Sequence, residues 1–527
     1  MKSLFNSIVF ILILTCLTGC QDNILDTDID PVDNNLPTVA SLRNVDGLTT
    51  FSKGIYDFIS SEDVFESVGP EKESPMLWFT YGYHETMGDV LTMPWGNFGG
   101  RWINQTESIV LDDGTVITPP AGGPQPGEIA IRNTRDAGSD NALQYEWRDM
   151  YSVIVQSNTI AEALPDLPAD DVTKDAFLAW SLWWRAYAYS RLGSLYELGI
   201  INDSGLITNP TSIPSTAFVA NTAIIAKSNS LLDELESLLN SVTNDSDFDS
   251  TFTSFFLGHI GGLGKAGLLE NINTLRVRNL VYNTKVVDMS AADWNEVITL
   301  ASNGVSLNDN AFVMRSESSF IANGWLPSAV LGFWYFPSDR LIQDINPGDA
   351  RFDEYFIQDP DDGFPFPNQR GRGIQYGASY FWQVESPIQS NVDEAIAMYY
   401  AGSFEENQLF LAEAKVRTND IEGGLVHLDA VRTLQESGLA PTVGTSLTQD
   451  QALEEIRKER RLALIFRAVS FYDARRYGIA SGSRTGARVL DQNAVLNTNA
   501  TINYGYLEYW PVPAFESDFN NIPSSLE

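Results

Sequence analysis

Cysteine, histidine and positive charge are all scarce in this chain. Its only cysteines among 527 residues are Cys16 and Cys20. The three histidines are His84, His259 and His427. None belongs to an HExxH motif or stands at metal-ligand spacing from a cysteine. No Gly-x-Ser-x-Gly elbow occurs, so the usual hydrolase nucleophile is missing. Lys and Arg total 33 against 69 Asp and Glu, a formal net charge of -36. Such a surface repels phosphate, which argues against general nucleic-acid binding. It suits a protein that stays soluble outside the cell. After residue 19 no apolar run is long enough to span a bilayer.

The first 19 residues, MKSLFNSIVFILILTCLTG, carry a lysine, an apolar run and then small residues. That is the layout of a secretory signal. Leu17-Thr18-Gly19-Cys20 resembles a bacterial lipobox, in which cleavage precedes the cysteine and the cysteine takes the lipid. The mature chain would then keep Cys20 alone, form no internal disulfide, and be anchored rather than threaded. Residues 20–40 are acidic and poor in large apolar side chains, and read as a flexible tether. Residues 41–527 are expected to form the folded body.

Hydrophobic residues make up 43% of the chain, enough for a large core. Helical periodicity dominates. It predicts helices over Trp147–Leu164, Asp175–Leu198, Lys265–Asn283, Asp293–Gly304, Glu405–Thr418 and Ile421–Thr433. Tyr189, Leu192, Gly193 and Tyr196 follow the spacing of a tetratricopeptide first helix, with Gly193 admitting a neighbouring helix. Two long irregular inserts, near 66–140 and 307–393, interrupt the helices. Loops of that length are functional or disordered, and their tryptophans argue against disorder.

One stretch runs against the composition. IRKERRLALIFRAVSFYDARRYG, from Ile456 to Gly478, holds six Arg and one Lys. Leu462, Ile465, Phe466, Val469 and Tyr472 share a face at helical spacing, and acidic residues alternate with the basic ones. The reading is a packed, charge-laced helix rather than a phosphate track.

The same stretch resembles the C-terminal signature of the SusD/RagB family of Bacteroidetes outer-membrane lipoproteins. Ile456, Glu459, Arg460, Arg461, Phe466, Asp473, Arg475, Arg476, Tyr477 and Gly478 match it. Ala463 replaces the usual Glu, and Arg467-Ala468 replace the usual Glu-Gly. Leu409–Arg432, WWRAYAYSRLGSLYELG, PSDRLIQDINPGDARFDEYF and YLEYWPVPAFE are similar to further family segments. The usual Asn-Pro-Gly-Tyr-like ending is absent after Asn521. The acidic residues behind Cys20 loosely resemble a surface-export signal of Bacteroidetes lipoproteins. The resemblance implies an all-α, tetratricopeptide-like scaffold with substrate-binding loops. It implies a non-enzymatic lid on a SusC-like TonB-dependent transporter, lipid-anchored in the outer membrane and facing the exterior, with no cofactor.

The candidate site lies in the loops. TMPWGNFGGRWIN places Trp95, Asn97, Arg101, Trp102 and Asn104 together, and the second insert adds Trp325, Trp334 and Trp382. Indole faces suit the C–H faces of sugars, and Asn and Arg suit their hydroxyls. The alternative for each tryptophan is loop core. Gly262–Gly267 fits GxGxxG but lacks a βαβ unit, and reads as a close-packed turn. Asp359, Asp361 and Asp362 lack EF-hand spacing and read as a solvated turn. Other functions kept open are a peptide or other nutrient binder of the same family, a secreted glycosidase, and a scaffold for proteins.

Overall fold

The computed structural model describes residues 41–56, 80–93, 99–119, 123–207, 217–256, 263–307, 312–315, 335–358, 364–368, 376–383 and 397–526. It is predominantly helical. The main helices are α1 (Val45–Lys53), α2 (Gln144–Ala163), α3 (Asp171–Leu195), α4 (Asn221–Ser241), α5 (Lys265–Val281) and α6 (Ala291–Ser302). After the second insert come α7 (Phe404–Arg417), α8 (Ile421–Leu434), α9 (Gln449–Ala463) and α10 (Ser470–Arg476). Successive helices pack in pairs, α2 on α3, α3 on α4, α5 on α6 and α7 on α8, as tetratricopeptide-like units do.

Side-chain chemistry sets these boundaries. Asp170 caps α3 through the Thr173 amide, and Ser290 with Asp293 forms a capping box on α6. Leu231, Leu232, Leu235 and Leu239 stripe the buried face of α4, a helix the periodicity reading passed over. A β-carbon on Gly193 would lie 2.9 Å from Ile225 of α4, so the close approach expected there is real. Helix α3 is apolar nearly all round and is accordingly buried. Trp180, Trp183 and Trp184 have no exposed surface, and Trp183 Nε1 donates to Asn271 at 2.9 Å.

The inserts are less irregular than the sequence suggests. The first contributes helices Gly82–Met87, Gly100–Ile103 and Gln125–Arg132, and strands β1 (Ser108–Val110) and β2 (Val116–Ile117). These strands join β3 (Ser483–Leu490) and β4 (Leu496–Asn503) in an antiparallel sheet of order β3-β4-β1-β2. Ile502 pairs with Ile109 across the chain's two ends.

Ile456–Gly478 departs from the single helix expected there. The chain leaves α9 at Ala463 and re-enters a helix at Ser470. Between them Phe466 and Ala468 take φ of 62° and 55°. The Ala468 amide donates to the buried Glu85 carboxylate at 2.8 Å, and its carbonyl accepts from Arg191 at 3.4 Å. These long-range partners replace the helical hydrogen bonds that the break forfeits. Phe466 is only half-buried, so it is not the fully enclosed ring that a continuous helical face implied.

Candidate functional site

The basic stretch is structural over most of its length. Arg460 meets Asp473 at 2.8 Å. Arg476 meets Glu413 at 2.6 Å and Asp473 at 2.7 Å. Arg475 donates to the carbonyls of Ser194, Glu508 and Tyr282. Arg461 reaches Asp344 at 2.8 Å and the carbonyls of Gly88 and Asp89. Segments that look separate in the sequence thus interlock through buried guanidinium groups. Arg351 with Glu459 and Arg340 with Asp89 extend the same lattice. Arg460, Arg461, Asp473 and Asp89 also line a cavity of about 30 Å³. That holds a water or two and is far too small for a sugar ring.

The predicted loop residues are divided by the structure. Trp95, Asn97, Trp325 and Trp334 lie outside the described residues. Arg101 and Trp102 sit on the short helix Gly100–Ile103, and Asn104 is the next residue. Trp102 is 9% exposed. The Arg132 guanidinium lies 3.2 Å from its ring centroid and that of Arg101 lies 4.3 Å away. Arg132 is itself held by Glu128. The indole is therefore engaged by cations of this chain, and is not an open platform.

Asn104 has no exposed surface, yet neither atom of its side-chain amide has a partner. Trp102 Nε1 and Gln105 Oε1, on either side of it, are also buried without partners. Buried polar groups are nearly always satisfied by protein or by water, so water or a ligand hydroxyl would complete these atoms, as it would the other unpartnered buried atoms of the fold. Asn104 is held in place by its carbonyl, which accepts from Tyr506 Oη at 3.1 Å. Gln125 pins the same segment, donating to the Ile103 carbonyl at 2.8 Å.

Trp382 has to be corrected. It has no exposed surface, and its Nε1 donates to the Tyr335 carbonyl at 2.9 Å. Its ring packs 5.4 Å from Phe356 and 5.1 Å from Phe466. It is loop core, because Phe356–Ile357 and Phe381–Trp382 pair as strands and fold the ring inward. Sequence alone offered no sign of that pairing.

The remaining motifs resolve into structure. Asp249 occupies the place a phosphate would take at the glycine-rich turn. Its Oδ1 accepts from the Lys265 amide at 2.7 Å, and a β-carbon on Gly264 would lie 2.4 Å from its Oδ2. His84 is buried against Glu146 at 2.8 Å, and burial holds its pKa below the ordinary value. Glu146 in turn is kept ionised by Arg191, with its pKa lowered to about 2 although burial opposes this. Asp359, Asp361 and Asp362, like His259, lie outside the described residues. Among the described residues no group of three or more His, Cys, Asp or Glu is placed to hold a metal ion. Among them, too, no helix is long and apolar enough to cross a membrane.

No family model and no curated protein matches the chain. Solved structures do. A SusD-like carbohydrate-binding protein from Bacteroides fragilis superposes with a TM-score of 0.60 at 12% identity, covering 91% of this chain and 99% of its own. A SusD-like carbohydrate-binding protein from Bacteroides vulgatus gives 0.54 at 14% identity, over 92% and 98%. A SusD superfamily protein from the same organism gives 0.53 at 14% identity, over 92% and 100%. A similarity that spans nine-tenths of the chain at so low an identity is one of backbone architecture, and the chain adopts the SusD-like fold.

Proposed function

We propose that this protein is a cell-surface lipoprotein that binds oligosaccharide or polysaccharide and delivers it to a SusC-like TonB-dependent transporter. The observation that carries the reading is the match, over nine-tenths of the chain, to the fold of solved carbohydrate-binding proteins. The unpartnered amide of Asn104 and indole N–H of Trp102 support it, since sugar hydroxyls both donate and accept. Trp95, Asn97 and Arg101 adjoin them in sequence, and Trp325 and Trp334 are the further candidates for stacking. The protein acts by binding and release rather than by catalysis.

The mature chain should bind a defined oligosaccharide on a glycan array. Alanine at an anchoring tryptophan among Trp95, Trp325 and Trp334 should weaken that binding by at least about 2 kcal/mol, as central aromatic anchors do. Calorimetry on variants with native circular dichroism measures this. If every folded variant binds like wild type, these tryptophans are loop core. Trp382→Ala is the internal contrast, expected to lower the melting temperature.

Anchor and partner are tested together. Affinity purification from native membranes in mild detergent should recover a large β-barrel protein, and Cys20→Ala should move the lipoprotein to the soluble fraction. A Cys20→Ala protein that stays in the membrane, or wild type recovered alone, counts against this part of the reading.

A further inference from the structure

The ion pairs behind the basic stretch do not balance. Arg457, Arg461 and Arg484 converge on the one carboxylate of Asp344, at 3.2, 2.8 and 2.9 Å. Glu454 also meets Arg457 at 2.8 Å, but it is half-exposed and water screens it. The neighbouring carboxylates are committed elsewhere. Asp89 is taken by Arg340 at 2.8 Å. Asp473 is shared by Arg460 and Arg476, at 2.8 and 2.7 Å. Glu85, a further carboxylate that Arg461 feels, is pushed up to about 7 by burial and carries only part of a charge at neutral pH. Positive charge is therefore in excess at this joint, inside a chain whose net charge is -36. Buried charge without a matching counter-charge is costly.

The excess faces a cavity. Arg457, Arg460, Arg461 and Arg484 all line the space of about 30 Å³ described above, with Leu464 and Ile479 among its apolar walls. The Arg460 side chain is 1% exposed. Its Nε donates to Asp473 at 2.8 Å and its Nη2 to Tyr282 Oη at 3.0 Å, while its buried Nη1 has no acceptor. Burial also pulls the Arg461 pKa below its ordinary value; Asp344 opposes this, and the guanidinium groups of Arg484 and Arg457 add to it.

Size and chemistry narrow the occupant. The space is on the scale of one or two waters, hence of a single small ion and not of a sugar. Guanidinium groups donate and have no acceptor atom. A water placed among them must still find acceptors for its own hydrogens. A halide only accepts, and it brings the missing negative charge.

We propose that this cavity is a binding site for one small monovalent anion, chloride in ordinary media, which ties α9 and α10 to Gly88-Asp89 and to strand β3. The site lies apart from the glycan-binding reading and stands or falls without it.

The mature chain is melted in sodium gluconate at fixed ionic strength, with chloride or bromide substituted stepwise. Constant ionic strength removes the general screening that so acidic a chain enjoys. The midpoint should rise by about 2 °C or more and then level off, as one saturable site requires. Sulfate at the same ionic strength should not reproduce the rise. Arg484→Gln leaves Asp344 two of its three arginines, so it should fold, and its midpoint should not respond to chloride. Arg460→Lys, which keeps the charge and removes the free Nη1, should weaken the chloride response about tenfold in concentration. Crystals of the wild-type chain grown in sodium bromide should give an anomalous peak in the cavity, a readout that does not depend on either variant folding. The proposal is overturned if chloride and gluconate give the same midpoint, if sulfate stabilises equally, or if the chloride response survives in Arg484→Gln. Bromide found only elsewhere, an adventitious ion only, overturns it as well and leaves the cavity to water.

Discussion

Arg476→Ala is expected to lower the unfolding free energy by about 3–5 kcal/mol in urea denaturation at neutral pH. Arg476 and Glu413 are 0% and 1% exposed, and they meet through bonds of 2.6 and 3.1 Å. Arg476 also holds Asp473 at 2.7 Å. Removing the guanidinium leaves Glu413 buried with only the Tyr477 hydroxyl at 2.9 Å and the Arg417 guanidinium at 3.4 Å as partners, and the loss is mostly desolvation of a carboxylate stripped of its main counter-charge. Arg476 holds the Glu413 pKa down at about 2, although burial opposes it. A depressed carboxylate contributes stability that is present above the ordinary value of 4.5 and lost as pH falls toward 2. The acid limb of wild type should therefore be steeper than that of the variant, and the two should converge near pH 2. Equal stability at neutral pH would mean that the arginines of this stretch are free for another duty.

Glu85→Gln is expected to act in the opposite direction, raising stability by up to about 3 kcal/mol at pH 8. Glu85 has no exposed surface, and burial lifts its pKa from 4.5 to about 7. Between those values the folded protein holds a proton that the unfolded chain has released, so stability falls as pH rises. Moving the proton affinity that far corresponds to about 3 kcal/mol. Glutamine keeps an acceptor for the Ala468 amide and has no proton to lose. The variant should match wild type below pH 4.5 and pull ahead through pH 7. Parallel stability curves from pH 4 to 8 would refute this.

The two residues show the range of what pattern reasoning reaches. Arg476 was marked by its place in a dense basic stretch inside an acidic chain, and its neighbours at helical spacing implied a packed role. Glu85 carried no mark at all. Nothing near it in sequence says that it lies beneath a turn formed 383 residues later. The same limit applies at the candidate site. Trp102, Asn104 and Trp382 read alike in the sequence, as candidate ligand contacts in the two inserts. Trp382 proved to be core, Trp102 is clasped by Arg101 and Arg132, and Asn104 is buried with an unsatisfied amide. The missing signal is strand pairing and loop return, which bring together residues with no local periodicity.

The sequence by itself determined helices α2, α3 and α5 to α8, though not α4. Their apolar stripes repeat every 3.6 residues and their caps are local, both of them interactions within a few residues, and a small residue, Gly193, marks where a neighbouring helix comes close. Near Phe466 that local rule predicted a continuous helix, and only the tertiary structure broke it. There Glu85, Arg191 and Trp382 supply contacts from distant segments. Those contacts outweigh a turn's worth of helical hydrogen bonds and hold two residues in the left-handed region, with Arg467 set between them.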